Sequence, residues 1–422
     1  MTFIDDLTWR GVLYDQTPDV GDHLAGGSRA AYCGFDPTAD SLHVGSLLPV
    51  MGLARLQRHG HRPVALVGGG TGLIGDPSGK RAERTLQTRD EVEANAAGIR
   101  AQLERFLDFE GEHAARMVNN LDWLGGVGLL DFLRDVGKHF TVGAMTAKES
   151  VRSRLDSEQG LSFTEFSYQL LQAYDFLTLY DQGVTVQIGG SDQWGNITAG
   201  IDLVRRARGE QAHGLVQPLI TNAAGTKFGK TESGAVWLDP ERTSPYQFYQ
   251  FWLNTDDRDA VGYLKAFTWL GRDEVAALEA EAEAAPHARP AQRALAREVT
   301  TIVHGADATE SAERAARVLF GGGDLGELDA KTLGEVFEEA PSVSLPAARF
   351  EGGGVPVVDL FVEAGLATSK GEAKRLARGG GLRVGDEVVD EGGAVTVADA
   401  VEGSVVVLRK GKKSYALVRL AR

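Results

Sequence analysis

The chain has little cysteine, no long apolar run and a shortage of positive charge, and each shortage excludes a class of protein. One cysteine, Cys33, in 422 residues leaves no internal disulfide and no cysteine-based zinc site. Beside Gly34 it reads as a small space-filling side chain. No stretch approaches the roughly 18 apolar residues that a membrane-crossing helix needs. The N-terminus, MTFIDDLTWRGVLYDQ, lacks the basic-then-apolar layout of a secretory signal. The expectation is a cytoplasmic protein without a membrane partner. A net charge of −15 argues against coating nucleic acid through bulk attraction. There is also no internal repeat.

What is present is an ordinary globular composition, 43% hydrophobic and 24% charged, on a chain too long for one core, so two to four domains are expected. The charge is uneven. From Val355 to Arg422 there are 11 Lys and Arg against 9 Asp and Glu, a balance of +2 that leaves −17 for everything before it. The tail therefore reads as a separate unit able to meet phosphate.

The first half alternates apolar strand-like runs, AAYCGF, HRPVALVGGG and TVQIGG, with helical stretches, LLPVMGLARLQRHG and RDEVEANAAGIRAQLERFLDF. This rhythm predicts a parallel sheet with crossover helices and a ligand site at the carboxyl ends of its strands. After about residue 222 the strands are expected to stop, and residues 243–318 have helical spacing almost throughout. The Gly-rich stretch 321–354 reads as a linker carrying at most a helix. Residues 355–422 read as two helices followed by short strands.

Gly70, Gly72 and Gly75 satisfy a dinucleotide-binding pattern, but Asp76-Pro77 would break the helix that pattern must open. The Walker pattern fails too, with Ile74 in place of its first glycine and Arg81 after Lys80. What survives is a backbone-rich loop carrying Lys80 and Arg84, which fits either a phosphate site or a solvated basic loop. In GFDPTADSLHVGSLLPV, Pro49 is tolerated in a first helical turn, so the helix is expected to begin near Gly45 or Ser46. Its amides and positive dipole end would then follow His43 as an anion site. Lys227 and Lys230 lie three apart in NAAGTKFGKTESG, suiting either a loop that folds over polyphosphate or an exposed hairpin tip. In SFTEFSYQLLQAYDF, Tyr168, Gln172 and Asp175 share one helix face. A buried Asp there must be paired. QIGGSDQWGNI adds glycines at a strand end before Asp192 and Gln193.

In order and spacing, YCGFDPTADSLHVGS, GGTGLIGDPSGK, SYQLLQAYDF, GGSDQWGN and KFGKT resemble the bacterial tyrosyl-tRNA synthetases, of class I. The resemblance runs from Trp9 to the C-terminus. It implies an α/β, Rossmann-like parallel-sheet catalytic domain (1–222), then the KFGKT loop with an all-helical anticodon-side domain (223–320). A linker (321–354) and a small α+β RNA-binding domain (355–422) would follow. In that last part Lys370, Lys374, Arg375 and Arg378 follow helical spacing as a basic stripe for tRNA.

The resemblance implies that Tyr32 and Asp175 bind the substrate phenol, while Asp76, Tyr168 and Gln172 hold its ammonium and Gln193 meets its carboxylate. Gly190 and Asp192 would face ribose. Gly34, Asp36, Gly45 and Ser46 would belong to the ATP side, and Thr38, His43, Lys80, Arg84, Lys227, Lys230 and Thr231 would reach the phosphates. The implied substrates are L-tyrosine, tRNA and ATP with Mg2+, with no metal held by the protein itself, and a homodimer. The family's signature usually ends in a second histidine, where this chain has Ser46. Four other readings were weighed: a tryptophanyl-tRNA synthetase, an RNA-binding factor derived from a synthetase, a cytidylyltransferase and an NAD dehydrogenase. Phenylalanine would leave Tyr32 and Asp175 buried without partners, which argues for tyrosine as substrate.

Overall fold

The computed structural model describes all residues except 77–86, 149–150, 153–154, 156–159, 224, 226–227, 232–233, 320–324, 326–327, 338–339, 412–413 and 422, and the side chains at 230, 231 and 319. The described chain divides into two compact units, one of residues 1–243 and 255–298, the other of 244–254 and 299–422.

The first unit is built on a six-stranded sheet. Its strands are β1 (Asp15–Gln16), β2 (Ala30–Phe35), β3 (Arg62–Val67), β4 (Arg116–Asn119), β5 (Val184–Gly190) and β6 (His213–Gln217), in the order β1-β6-β5-β2-β3-β4. Only the edge strand β1 runs antiparallel, pairing Asp15 with Val216. The other pairings are parallel, with Tyr32 opposite both Val64 and Gln187. Near-continuous apolar runs such as RPVALV form these strands because both faces of a parallel sheet are covered. On one face Tyr32, Val64, Leu66, Phe176, Leu179 and Leu203 form a buried cluster. Each fully buried aliphatic group there stabilises the unit by roughly 2 kcal/mol. Helices Phe163–Asp181 and Trp194–Arg208 pack tightly because Gly200 has no side chain: a Cβ there would lie 2.9 Å from the Phe176 ring.

Helix Val44–Arg58 begins earlier than the proline suggested, and this corrects the sequence reading. His43 is the N-cap and Pro49 lies inside the helix. Pro49 therefore has no N–H to give to the Gly45 carbonyl one turn back. A second correction concerns the end of the strands. Lys230–Thr231 pairs with Gly234–Ala235 in a short antiparallel ladder, so strand structure continues past residue 222. The helical run is as expected, with Pro245–Leu253, Asp257–Phe267, Arg272–Ala284, Pro290–His304 and Ala306–Leu319.

In the second unit the stretch expected as a linker is structured. It carries a helix, Ala330–Val336, and a strand, Ser342–Pro346. That strand pairs in parallel with Ser414–Ala421, completing a five-stranded sheet with Val405–Lys410, Leu382–Val384 and Glu387–Val388. The cause is legible: Ser-Val-Ser-Leu alternates, so Val343 and Leu345 point to one side and join the core of Phe350, Leu360, Phe361, Leu382 and Val418. Helices Val357–Glu363 and Lys370–Arg378 cover the sheet, as the two-helix reading of this tail expected.

Candidate active site

Five strands of the first unit bring their carboxyl ends to one edge, where β2, β5 and β6 and the start of helix Val44–Arg58 enclose a cavity of about 410 Å³. Most of the expected site residues line it. They are Tyr32, Gly34, Asp36, Thr38, His43, Gly45, Ser46, Asp76, Tyr168, Gln172, Asp175, Gly190, Asp192 and Gln193. Motifs as far apart as residues 32 and 193 therefore share one wall.

At one end lies a buried hydrogen-bond chain. Tyr168 Oη donates to Asp36 Oδ2 at 2.8 Å, and Thr71 Oγ1 donates to Asp36 Oδ1 at 2.7 Å. Asn120, fully buried, donates through Nδ2 to Thr71 Oγ1 and to Asp175 Oδ2, both at 2.9 Å. Trp123 Nε1 donates to Asp175 Oδ1 at 2.7 Å. Burial pushes the Asp175 carboxyl up to about 7, against the opposing pull of the Asn120 and Trp123 hydrogen bonds. The Tyr32 ring is 1% exposed and meets Phe176 edge-on. Its Oη has no hydrogen-bond partner among the described residues, and burial raises its pKa well above the usual phenol value. Gln172 Oε1 is likewise buried without a partner there.

Thr71, Asn120 and Trp123 were not anticipated. Thr71 lies in the turn after β3, within GGTGLIGDPSGK but given no role there, while Asn120 and Trp123 follow β4, outside every motif. Only the polar pair Asn119–Asn120 after an apolar run hinted at them. Asp36, placed on the ATP side by resemblance, here accepts the Tyr168 and Thr71 hydroxyls. Gly68 makes room for it, since a Cβ there would collide with the Asp36 carboxylate.

Further along, Gln193 Nε2 donates to Asp76 Oδ2 at 2.7 Å, and Asn196 Nδ2 donates to Gln193 Oε1 at 3.2 Å. A Cβ on Gly190 would collide with the Asp192 carboxylate, so the glycine sets where that acid sits. Cys33 is buried. Burial pushes its thiol up to about 12, which makes it a filler and not a nucleophile.

The helix mouth differs from the expected open anion site. His43 Nδ1 accepts the Gly45 N–H at 3.0 Å. The Ser46 N–H goes to the His43 carbonyl and the Val44 N–H to the Val236 carbonyl. These three amides are already satisfied, one by the His43 ring acting as N-cap and two by backbone carbonyls. Gly45 is required by that cap: a Cβ would lie 2.7 Å from the imidazole. Ser46 lines the cavity beside it. The lysine-bearing loop reaches the same place. Gly229, at φ 83°, packs on Val44 and Gly45, where a Cβ would lie 2.6 Å from the Val44 side chain. Phe228 anchors the loop by stacking on Phe267 at 5.3 Å and meeting Tyr263 at 4.9 Å.

Lys80, Arg84 and Lys227 lie outside the described residues, and for Lys230 and Thr231 only the backbone is described. The described lining holds four carboxylates, Asp36, Asp76, Asp175 and Asp192, and no Lys or Arg. Among the described residues no group of three or more His, Cys, Asp or Glu could hold a metal ion, and no helix is long and apolar enough to cross a membrane. On helix Lys370–Arg378, Lys370 is paired with Asp359 at 2.8 Å and Arg378 with Glu391 at 2.9 Å. Lys370, Lys374, Arg375 and Arg378 are all exposed.

A parallel sheet with its cavity at the strand ends, a His-x-Gly helix mouth and a lysine loop folded against it defines a class I tRNA synthetase. Residues 25–321 match the family described as tRNA synthetases class I (W and Y). Residues 333–418 match the tyrosine--tRNA ligase SYY-like C-terminal domain. The chain is 54% identical over 422 residues to the tyrosine--tRNA ligase of Roseiflexus castenholzii, covering 99% of each. It is 53% identical over 427 residues to that of Bacillus caldotenax, covering 100% of each. Among solved structures, a C-terminally truncated mitochondrial tyrosyl-tRNA synthetase of Aspergillus nidulans superposes with a TM-score of 0.70 at 32% identity, covering 76% of this chain and 94% of that one. The chain belongs to the tyrosine--tRNA ligase family.

Proposed function

We propose that this protein attaches L-tyrosine to the 3′ end of tRNA(Tyr) in two steps. A carboxylate oxygen of tyrosine attacks the α-phosphorus of ATP, giving tyrosyl adenylate and releasing pyrophosphate. A hydroxyl of the terminal ribose then attacks the acyl carbon and AMP leaves. The attacking carboxylate is already ionised at neutral pH, so the first step needs no general base and is driven by positioning and charge stabilisation. The observation that carries the tyrosine reading is the Tyr32 hydroxyl, buried without a partner among the described residues and lining the same cavity as Asp175. A substrate phenol donating to Asp175 and accepting from Tyr32 satisfies both.

Asp76, Tyr168 and Gln172 hold the ammonium group, and Gln193 meets the carboxylate. Gly190 and Asp192 face ribose, with Gly34, Asp36, Gly45 and Ser46 along the nucleotide. Thr38, His43, Lys80, Arg84, Lys227, Lys230 and Thr231 meet the phosphates, and Mg2+ arrives with ATP as part of the substrate. Residues 1–222, with the KFGKT loop at the start of 223–320, carry activation. The helices of 223–320 and the tail, with Lys370, Lys374, Arg375 and Arg378, serve tRNA. The enzyme works in the cytoplasm.

ATP–pyrophosphate exchange with each of the 20 amino acids tests the reading: exchange with tyrosine alone is expected, and none with tyrosine overturns it. We also propose a homodimer, supported by the exposed apolar side chains Leu129, Leu130, Val142 and Phe163. Sedimentation velocity checks it. The parent should run at twice the chain mass and Leu130→Glu toward the monomer, while a monomeric parent sinks the idea.

A further inference from the structure

Gln217, the last residue of β6, is the polar group in the cavity wall that no motif accounts for. It is 1% exposed, and neither Oε1 nor Nε2 has a hydrogen-bond partner among the described residues. Its amide lies against the middle of helix Val44–Arg58: a Cβ built on Gly52 would meet Oε1 at 2.8 Å and Nε2 at 3.1 Å. A glycine inside a helix is destabilising relative to alanine. Each buried polar atom left unsatisfied adds to that cost, and an apolar side chain of similar shape would avoid it. The fold thus gives up stability twice at one point to keep a donor and an acceptor side by side in the wall.

The place of that amide suggests what it serves. Gln217 is in register with Gly190, two residues before Asp192. On helix Val44–Arg58, Gly45, Pro49 and Gly52 lie at i, i+4 and i+7, on one face, and Gly45, Ser46, Pro49 and Gln217 all line the cavity. Ser46 presents only a short hydroxyl in this wall. The adjacent donor and acceptor of a carboxamide match the donor–acceptor edges of a nucleoside, either a ribose hydroxyl or the amino edge of adenine.

We propose that Gln217 is a nucleotide-recognition residue: Gly52 leaves room for its carboxamide, which hydrogen-bonds the adenosine half of ATP in the cavity that Gly45, Ser46 and Pro49 also line. This rests on the ligase reading, so tyrosine-dependent exchange by the unaltered protein is measured first. Its absence fails that reading, whereas exchange with an unmoved Gln217→Leu variant fails this inference alone. Gln217→Leu should raise KM for ATP at least tenfold, with KM for tyrosine within twofold. The apo protein should melt no lower than the parent. The penalty should shrink below threefold with one of 2′-deoxy-ATP, 3′-deoxy-ATP or purine riboside triphosphate, which identifies the atom contacted. An unchanged KM for ATP, or a penalty of one size for all four nucleotides, overturns the proposal. So does a lower melting temperature, which would mean the amide is satisfied within the protein.

Discussion

At the scale of single residues, the buried carboxyl of Asp175 ties pH to substrate. Burial raises it from an ordinary 3.8 to about 7, while the tyrosine hydroxyl needs the ionised form as its acceptor. KM for tyrosine should therefore rise about tenfold as pH falls from 8 to 6. Asp175→Asn should flatten the profile, and a flat profile in the unaltered enzyme would remove Asp175 from the phenol site. For stability the sign is that of a raised acid. The contribution of Asp175 is fully present below about pH 3.8 and is lost as pH climbs toward 7, because the unfolded chain ionises first. Tyr32 and Asp175 were legible in the sequence because each sits in a recognisable local run. Asn120 and Trp123, which hold Asp175, were not. They meet it from 55 and 52 residues away, and contacts of that separation leave no trace in local spacing. Gln217 escaped for the same reason, since its orphan amide is a property of packing.

Among the elements, the helix mouth and the lysine loop form one working part. His43 caps the helix, Gly45 clears space for its ring, and Gly229 lets the loop backbone lie on both. Gly229→Ala strains a left-handed backbone and drives a methyl into Val44, so Lys230 on the next residue is displaced. Adenylate formation should slow at least tenfold, about 1.4 kcal/mol at the transition state, with equilibrium tyrosine binding unchanged. Lys230→Ala should fall in the same range, and single-turnover pyrophosphate release measures both. A normal rate in either variant would separate the loop from the chemistry. The elements themselves were largely readable: AAYCGF is strand β2 from end to end, and the helices after residue 243 follow their periodicity. The helix start was misjudged because Pro49 was taken as a first-turn marker. With His43 as the cap the first helical residue is Val44, one or two residues before the start that Pro49 suggested.

For the whole molecule, the strand Ser342–Pro346 changes where the chain can be cut. Deleting residues 325–422 removes the tail module together with this strand. It should abolish aminoacylation of tRNA while leaving tyrosine-dependent ATP–pyrophosphate exchange within about threefold; equal loss of both would contradict separate roles for the two ends. Deleting only 355–422 strands the edge Ser342–Pro346 without its partner, an invitation to aggregation. Reading 321–354 as a tether followed from its glycines, which outweighed the quieter Ser-Val-Ser-Leu alternation. The sheet order also bears on biosynthesis. Ser414–Ala421 lies between Val405–Lys410 and Ser342–Pro346, so an interior strand is made after the edge strand it holds. A ribosome emits residues at roughly 5–20 per second. For several seconds after Pro346 emerges, its strand waits beside a gap that only residue 421 can close. A nonsense codon anywhere in that interval would leave the sheet open, so a sealed edge certifies that synthesis has passed Ala421.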